Sequence, residues 1–153
     1  GDDPTVLELE DYASSLVGVD GALFCPSGTM TNQVAIKSHT KAGDQVICDK
    51  TAHIYLYEGG GAALHSGVSC HLLSGDAGRF TAAQVSEVIH PDDPHFPRSR
   101  LVVVENTSNK GGGTIWDFSE IQKIRELCNE HGLALHLDGA RLFHALVETK
   151  ETA

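Results

Sequence analysis

Three short stretches combine residue types that could do chemistry. In "PSGTMTNQ", Gly28 and Thr29 stand where a helix begins. A Gly-Thr pair there offers unsatisfied backbone N–H groups, a hydroxyl and the positive end of a helix dipole, which together suit a phosphate. A plain helix cap is the simpler use of the same residues. The stretch is neither GxxxxGK[ST] nor GxGxxG, so those nucleotide-binding loops have no support. In "DKTAHIYLYEGGG", His53 sits just past a strand end. An imidazole there either caps a helix at the surface or stacks on a flat ring and titrates near neutrality. In "ALHLDGARLFHAL", Asp138 ends an apolar strand. A carboxylate so placed costs desolvation unless it meets a cation or donors. Arg141, three residues on, is the local candidate. The other is a protonated ring nitrogen of a cofactor, which only a buried anion can hold protonated.

The elements that must position these residues follow from pattern. Asp3 caps a first helix with Pro4 at its first position; Val6, Leu9, Ala13, Leu16 and Val17 make one apolar face before Gly18. "GALFCPSG" reads as a short strand entering a turn, followed by helical "TMTNQVAIKSHTK". "DQVICD" and "VSCHLL" read as strands, separated by a helical start that three glycines interrupt. Before "VSEVIHP", Thr81 and Gln84 form a capping box and Phe80 and Val85 a hydrophobic staple, with Pro91 as the stop. "PDDPHFPRS" is a surface loop, and "RLVVVEN" is an apolar strand of the kind covered on both faces. "DFSEIQKIRELCNEHG" is a helix with Asp117 and Glu120 as its capping box, a core stripe of Phe118, Ile121, Ile124, Leu127 and Cys128, and Gly132 as its end. "LALHLD" is the last strand, expected to be buried. Strands alternating with helices predict an α/β fold, a mostly parallel sheet flanked by helices. In such sheets ligands bind at the carboxyl ends of strands, where "SGT", "TAH", "ENTSN" and "DGAR" all fall.

Composition narrows the partners. The 153 residues carry a formal charge of -10, and no basic patch interleaves with aromatics, so a nucleic acid is not expected. No run is long enough to span a membrane, and there is no signal-peptide pattern. Cys25, Cys48, Cys70 and Cys128 form no CxxC pair and lie in or beside apolar runs, which predicts free thiols in a reducing compartment. The nine histidines include no HExxH or other ligand spacing, so no metal site is expected. The chain opens at "GDDPTVLELED" and stops at "VETKETA", and is expected to be a segment of something larger.

A phosphate seat, a flat-ring stacker and a buried acid at strand ends describe pyridoxal phosphate. The stretches "ALFCPSGTMTNQVAI", "DKTAHIYLYEGGG", "LVVVENTSNKGGGTI" and "LHLDGARLFHA", in this order and spacing, resemble the threonine aldolase / aromatic amino acid β-eliminating lyase family. The resemblance covers nearly the whole chain and rests chiefly on "PSGTMTNQ" with "HLDGAR". It implies the large domain of the fold-type-I pyridoxal-phosphate-dependent transferase-like fold, here partial over residues 1–153. The N-terminal arm, the Schiff-base lysine segment and the C-terminal small domain are expected to be missing. It further implies Gly28 and Thr29 at the phosphate, His53 against the pyridine ring, Asp138 on its nitrogen, and Arg141 toward the ring substituents and substrate.

Two positions depart from the family pattern. Ser108 stands in "ENTSN" where an imidazole, a candidate for contact with the substrate's β-hydroxyl, is common. Lys150, in a polar "ETKETA" tail, matches no Ser-Lys motif. The implied activity is cleavage of the Cα–Cβ bond of a β-hydroxy amino acid such as threonine, with His53 and Asp138 as catalytic residues, in a cytoplasmic homo-oligomer. Residues 1–153 alone are expected to be inactive. A β-eliminating lyase acting on another amino acid would share every motif, an aminotransferase relative fits the paired motifs less well, and a non-catalytic domain of the same fold would keep the sheet without the lysine.

Overall fold

A computed structural model describes residues 3–153. Its centre is a four-stranded sheet of β1 (Gln45–Asp49), β2 (Ser69–Leu73), β3 (Ser99–Glu105) and β4 (Ala134–Asp138), ordered β2-β1-β3-β4 with every pair parallel. The inner strands are the continuous apolar runs. "QVICD" is buried at every position, and "SRLVVVE" at every position but Arg100, as strands covered on both faces must be.

Strand alternation divides these side chains between two clusters. Val46, Cys48, Leu101 and Val103 pack with Ile36 of α2 (Gly28–His39), Ile54 of α3 (His53–Leu56) and Ala62 of a π-helical turn (Ala62–Ser66). Ile47, Val102 and Val104 pack on the other face with Phe80, Val85, Trp116, Ile124 and Cys128, contributed in part by α4 (Ala82–Ser86) and α5 (Phe118–His131). Each fully buried aliphatic side chain contributes about 1.5–3 kcal/mol. The remaining helices are α1 (Pro4–Val17) and α6 (Leu142–Thr149).

Local signals set several boundaries. Asp3 caps α1 through the N–H groups of Thr5 and Val6, and Gly18 ends it at φ 67°. The Thr81–Gln84 box forms, and Phe80 and Val85 meet in one cluster. That helix stops at Ser86, well before Pro91. Gly132 ends α5 at φ 65°.

Five expectations are corrected by tertiary context. "GALFC" is not a strand: an apolar run becomes one only beside a receptive strand, and here Leu23 and Phe24 are exposed, with the Phe24 N–H on the Glu10 carboxylate at 2.7 Å. The apolar face of α1 buries nothing among the described residues. Glu120 does not complete a capping box with Asp117, because it accepts the Ala82 N–H at 2.8 Å and so ties α5 to α4. Phe118 is 54% exposed, since at the first helical position it precedes the stripe that meets the sheet. Finally, β4 is an edge strand, partly exposed along its length, in which Asp138 is the buried residue.

Candidate functional site

Strand order reverses between β1 and β3, since β2 lies on one side of β1 and β3 on the other. Such a reversal opens a crevice at the carboxyl ends of the two strands. His53 starts α3 on the β1 side of that crevice, and Glu105 ends β3 on the other. The His53 N–H donates to Glu105 Oε2 at 3.0 Å. Glu105 Oε1 accepts the Asn109 N–H at 3.0 Å and Nη2 of Arg141 at 3.3 Å. One buried carboxylate thus ties together the loops that follow β1, β3 and β4.

Asp138 shares its face of β4 with His136 and Ala134, the face that α2 covers. Nδ2 of Asn32, from α2, donates to Asp138 Oδ2 at 2.9 Å and to Glu58 Oε1 at 2.8 Å. The Asn32 carbonyl oxygen lies 2.9 Å from His136 Nε2. Glu58 also accepts from Gln33 Nε2, and its Oε1 lies 3.0 Å from Nδ1 of His53. Asn32, Gln33, Glu58 and Asp138 are all buried. Burial pushes the His136 ring below its ordinary value, against the opposing pull of the Asp138 charge.

His53, Glu58 and Asp138 bring ligand atoms within 4.8 Å of one another, a spacing open to a metal ion. Their donors already engage both Glu58 oxygens and both Asp138 oxygens, the last through the Ala140 N–H at 3.3 Å. Hydrogen bonds therefore account for the cluster. No Lys or Arg among the described residues pairs with Glu58 or Asp138. Two buried acids served only by neutral donors and one imidazole fit a cationic ring nitrogen arriving from outside.

The structure brings the predicted residues to this one place, with two changes. Ser27, not the Gly-Thr pair, caps α2, accepting the Met30 N–H at 3.2 Å. The backbone N–H groups of Gly28 and Thr29 and the Thr29 hydroxyl have no partner among the described residues. Asn32 stands one turn further along, about 5 Å of axial rise from Thr29, so its bond to Asp138 sets the helix N-terminus beside the acid. The second change is that the local Asp138–Arg141 ion pair does not form, because Arg141 turns to Glu105. His53 and Arg141 have side chains 34% and 36% exposed, so this is an open face. A groove of about 520 Å³ along α2 touches Thr29 and Gln33 but none of His53, Asp138 and Arg141.

Ser108 is buried, and its Oγ accepts the Gly111 N–H at 3.3 Å beneath the turn that holds Gly78. Lys150 lines a cavity with Leu137, Leu142 and Trp116. Leu137 points to the face of β4 opposite Asp138, so Lys150 lies away from the acid. All four cysteines are free thiols. None of the described helices is long and apolar enough to cross a membrane.

Sequence reasoning missed Asn32, Gln33, Glu58, Glu105 and His136. Each lies inside a stretch that drew attention, yet such a polar residue signals a function only once its partner is known. The partners of Asn32 are 26, 104 and 106 residues away.

This parallel sheet flanked by helices has the fold of the fold-type-I pyridoxal-phosphate enzymes. The family described as beta-eliminating lyase matches residues 1–153. A low specificity L-threonine aldolase of Escherichia coli K12 is 42% identical over 148 residues, which cover 96% of this chain and 44% of that protein. A probable low-specificity L-threonine aldolase 2 of Arabidopsis thaliana is 36% identical over 96% of this chain and 42% of that protein. Among solved structures, a putative L-allo-threonine aldolase of Listeria monocytogenes superposes at TM-score 0.85 with 25% identity, covering 99% of this chain and 41% of that one. The chain belongs to the threonine aldolase / β-eliminating lyase family, a family of pyridoxal-phosphate-dependent enzymes, and spans less than half the length of these curated relatives.

Proposed function

We propose that residues 1–153 are the cofactor-binding part of a large domain in a longer enzyme. That enzyme is a pyridoxal-phosphate-dependent aldehyde-lyase cleaving β-hydroxy amino acids such as threonine to glycine and an aldehyde. The observation that carries the reading is Asp138: a buried carboxylate at a strand end, with no Lys or Arg partner among the described residues, bonded to Asn32, which stands one helical turn from the N–H groups of Gly28 and Thr29 that have no partner among the described residues. The names of the relatives support threonine as substrate.

Pyridoxal phosphate, when bound, supplies the electron sink for breaking the Cα–Cβ bond. Gly28 and Thr29 hold the phosphate with two backbone donors and a hydroxyl. Asp138 keeps a proton on the ring nitrogen through its charge. His53 would lie against the ring face, and its Nε2, which has no hydrogen-bond partner among the described residues, would be open to a proton from the substrate's β-hydroxyl. Arg141, anchored on Glu105, would offer its remaining N–H groups toward the ring substituents and the substrate side of the site. The Schiff-base lysine comes from chain outside residues 1–153, and the enzyme works as a cytoplasmic homo-oligomer.

The test is to supply threonine to the cofactor-loaded full-length protein and measure glycine and acetaldehyde. Release of pyruvate or ammonia from another amino acid in their place would move the assignment to a different lyase. Borohydride reduction with peptide mapping then locates the reactive lysine. Stoichiometric labelling of Lys150 would show that the amine lies within this chain.

A further inference from the structure

Glu58 is a buried acid with no part in the chemistry proposed for Asp138, His53 and Arg141. Its side chain is fully buried, and burying a carboxylate is unfavourable unless several donors hold it. Three do: Asn32 Nδ2 at 2.8 Å, Gln33 Nε2, and Nδ1 of His53 at 3.0 Å. The first of these donors also holds Asp138. A carboxylate accepts only, so the proton between His53 and Glu58 belongs to Nδ1, and in the neutral ring Nε2 is then the bare nitrogen.

We propose that Glu58 is a positioning residue: it binds His53 through Nδ1, makes Nε2 the proton-accepting nitrogen of the ring, and through Asn32 keeps His53 and Asp138 in one rigid frame. This role deepens the proposed function of His53 and Asp138 and rests on it for its catalytic meaning. The Glu58–His53 link itself needs no cofactor. The geometry also accounts for the spacing of "HIYLYE": the α3 turn returns the chain so that residue 58 comes under the ring of residue 53. Tyr57 packs against the same ring, centroids 5.6 Å apart.

The tautomer is read directly from long-range ¹H–¹⁵N correlations of the histidine rings in the full-length protein without cofactor. His53 is expected to carry its proton on Nδ1, and a proton on Nε2 in the unsubstituted protein would overturn the proposal without any variant being made. In Glu58→Gln, which keeps shape but loses the charge, the His53 ring is expected to shift toward Nε2–H or to a mixture of tautomers; an unchanged spectrum would overturn it.

The second measurement is cofactor affinity in a double-mutant cycle with His53→Phe. Glu58→Gln is expected to weaken binding about tenfold alone and less than threefold in the Phe background. Equal losses in both backgrounds would show that Glu58 serves packing rather than His53. A protein that shows the expected tautomer but does not bind pyridoxal phosphate would sink the proposed function while leaving the Glu58–His53 link standing.

Discussion

The guanidinium of Arg141 crosses from the end of β4 to Glu105 at the end of β3, Nη2 to Oε1 at 3.3 Å, and the other oxygen of that carboxylate takes the His53 N–H at 3.0 Å. Glu105 is 6% exposed and Arg141 half-buried. The ion pair itself is therefore partly screened, and the two backbone N–H bonds to a buried charge are the larger contribution.

Glu105→Gln keeps one acceptor oxygen and removes the charge. It is expected to lower stability by about 2 kcal/mol and to free Arg141 and the start of α3 together. Urea denaturation checks the first effect. Hydrogen exchange at the His53 and Asn109 amides checks the second, and protection unchanged at both would show that Glu105 does not hold these loops.

Asp138→Asn preserves shape but not charge. The phosphate contacts proposed at Gly28 and Thr29 would be untouched, so cofactor binding should remain measurable in the full-length protein. Turnover of threonine should fall by about 100-fold or more, as expected when a charge aimed at the reacting system is removed. Turnover within a few-fold of the unsubstituted enzyme would remove Asp138 from the role assigned to it.

His136 gives the fold a pH dependence whose sign follows from its environment. Burial holds its folded pKa below its ordinary value, so as pH falls through about 6.5 the unfolded chain takes up the proton first. The stability this neutral ring contributes is complete above that pH and is lost as pH falls toward the folded value. The urea midpoint should therefore decline between about pH 7.5 and 5.5, and His136→Gln should flatten part of that decline. A midpoint that rises on acidification would contradict the burial argument.

The turn at residues 75–79 and the loop at 108–114 press together without space for an added methyl at Gly111. A Cβ there would meet the Ala77 carbonyl oxygen, which also accepts Thr114 Oγ1 at 2.7 Å. Gly111→Ala should cost about 1–3 kcal/mol. Gly21→Ala, where nothing lies within 4 Å of the methyl that the substitution adds, should change stability by less than about 0.5 kcal/mol. Equal melting temperatures for the two variants would show that the loop yields freely.

What the sequence by itself determined is local. Asp3, Thr81, Gln84 and Gly132 act on backbone groups within a few residues, so their caps and stops could be read directly, as could the apolar runs of β1 and β3. The placing of chemistry at strand ends follows from parallel alternation alone. Tertiary structure decided which runs found partners and which acids met which bases. "GALFC" has strand composition and no neighbouring strand, and Glu120 sits at capping-box spacing yet bonds Ala82. Arg141 lies three residues from Asp138 and pairs with a residue 36 positions away. Asn32, in the middle of a helix, links two acids that lie far apart in the chain. Capping is a short-range competition for one N–H. Pairing of buried charge is settled by whichever groups the packed sheet brings within about 3 Å, and chain separation carries no trace of that distance.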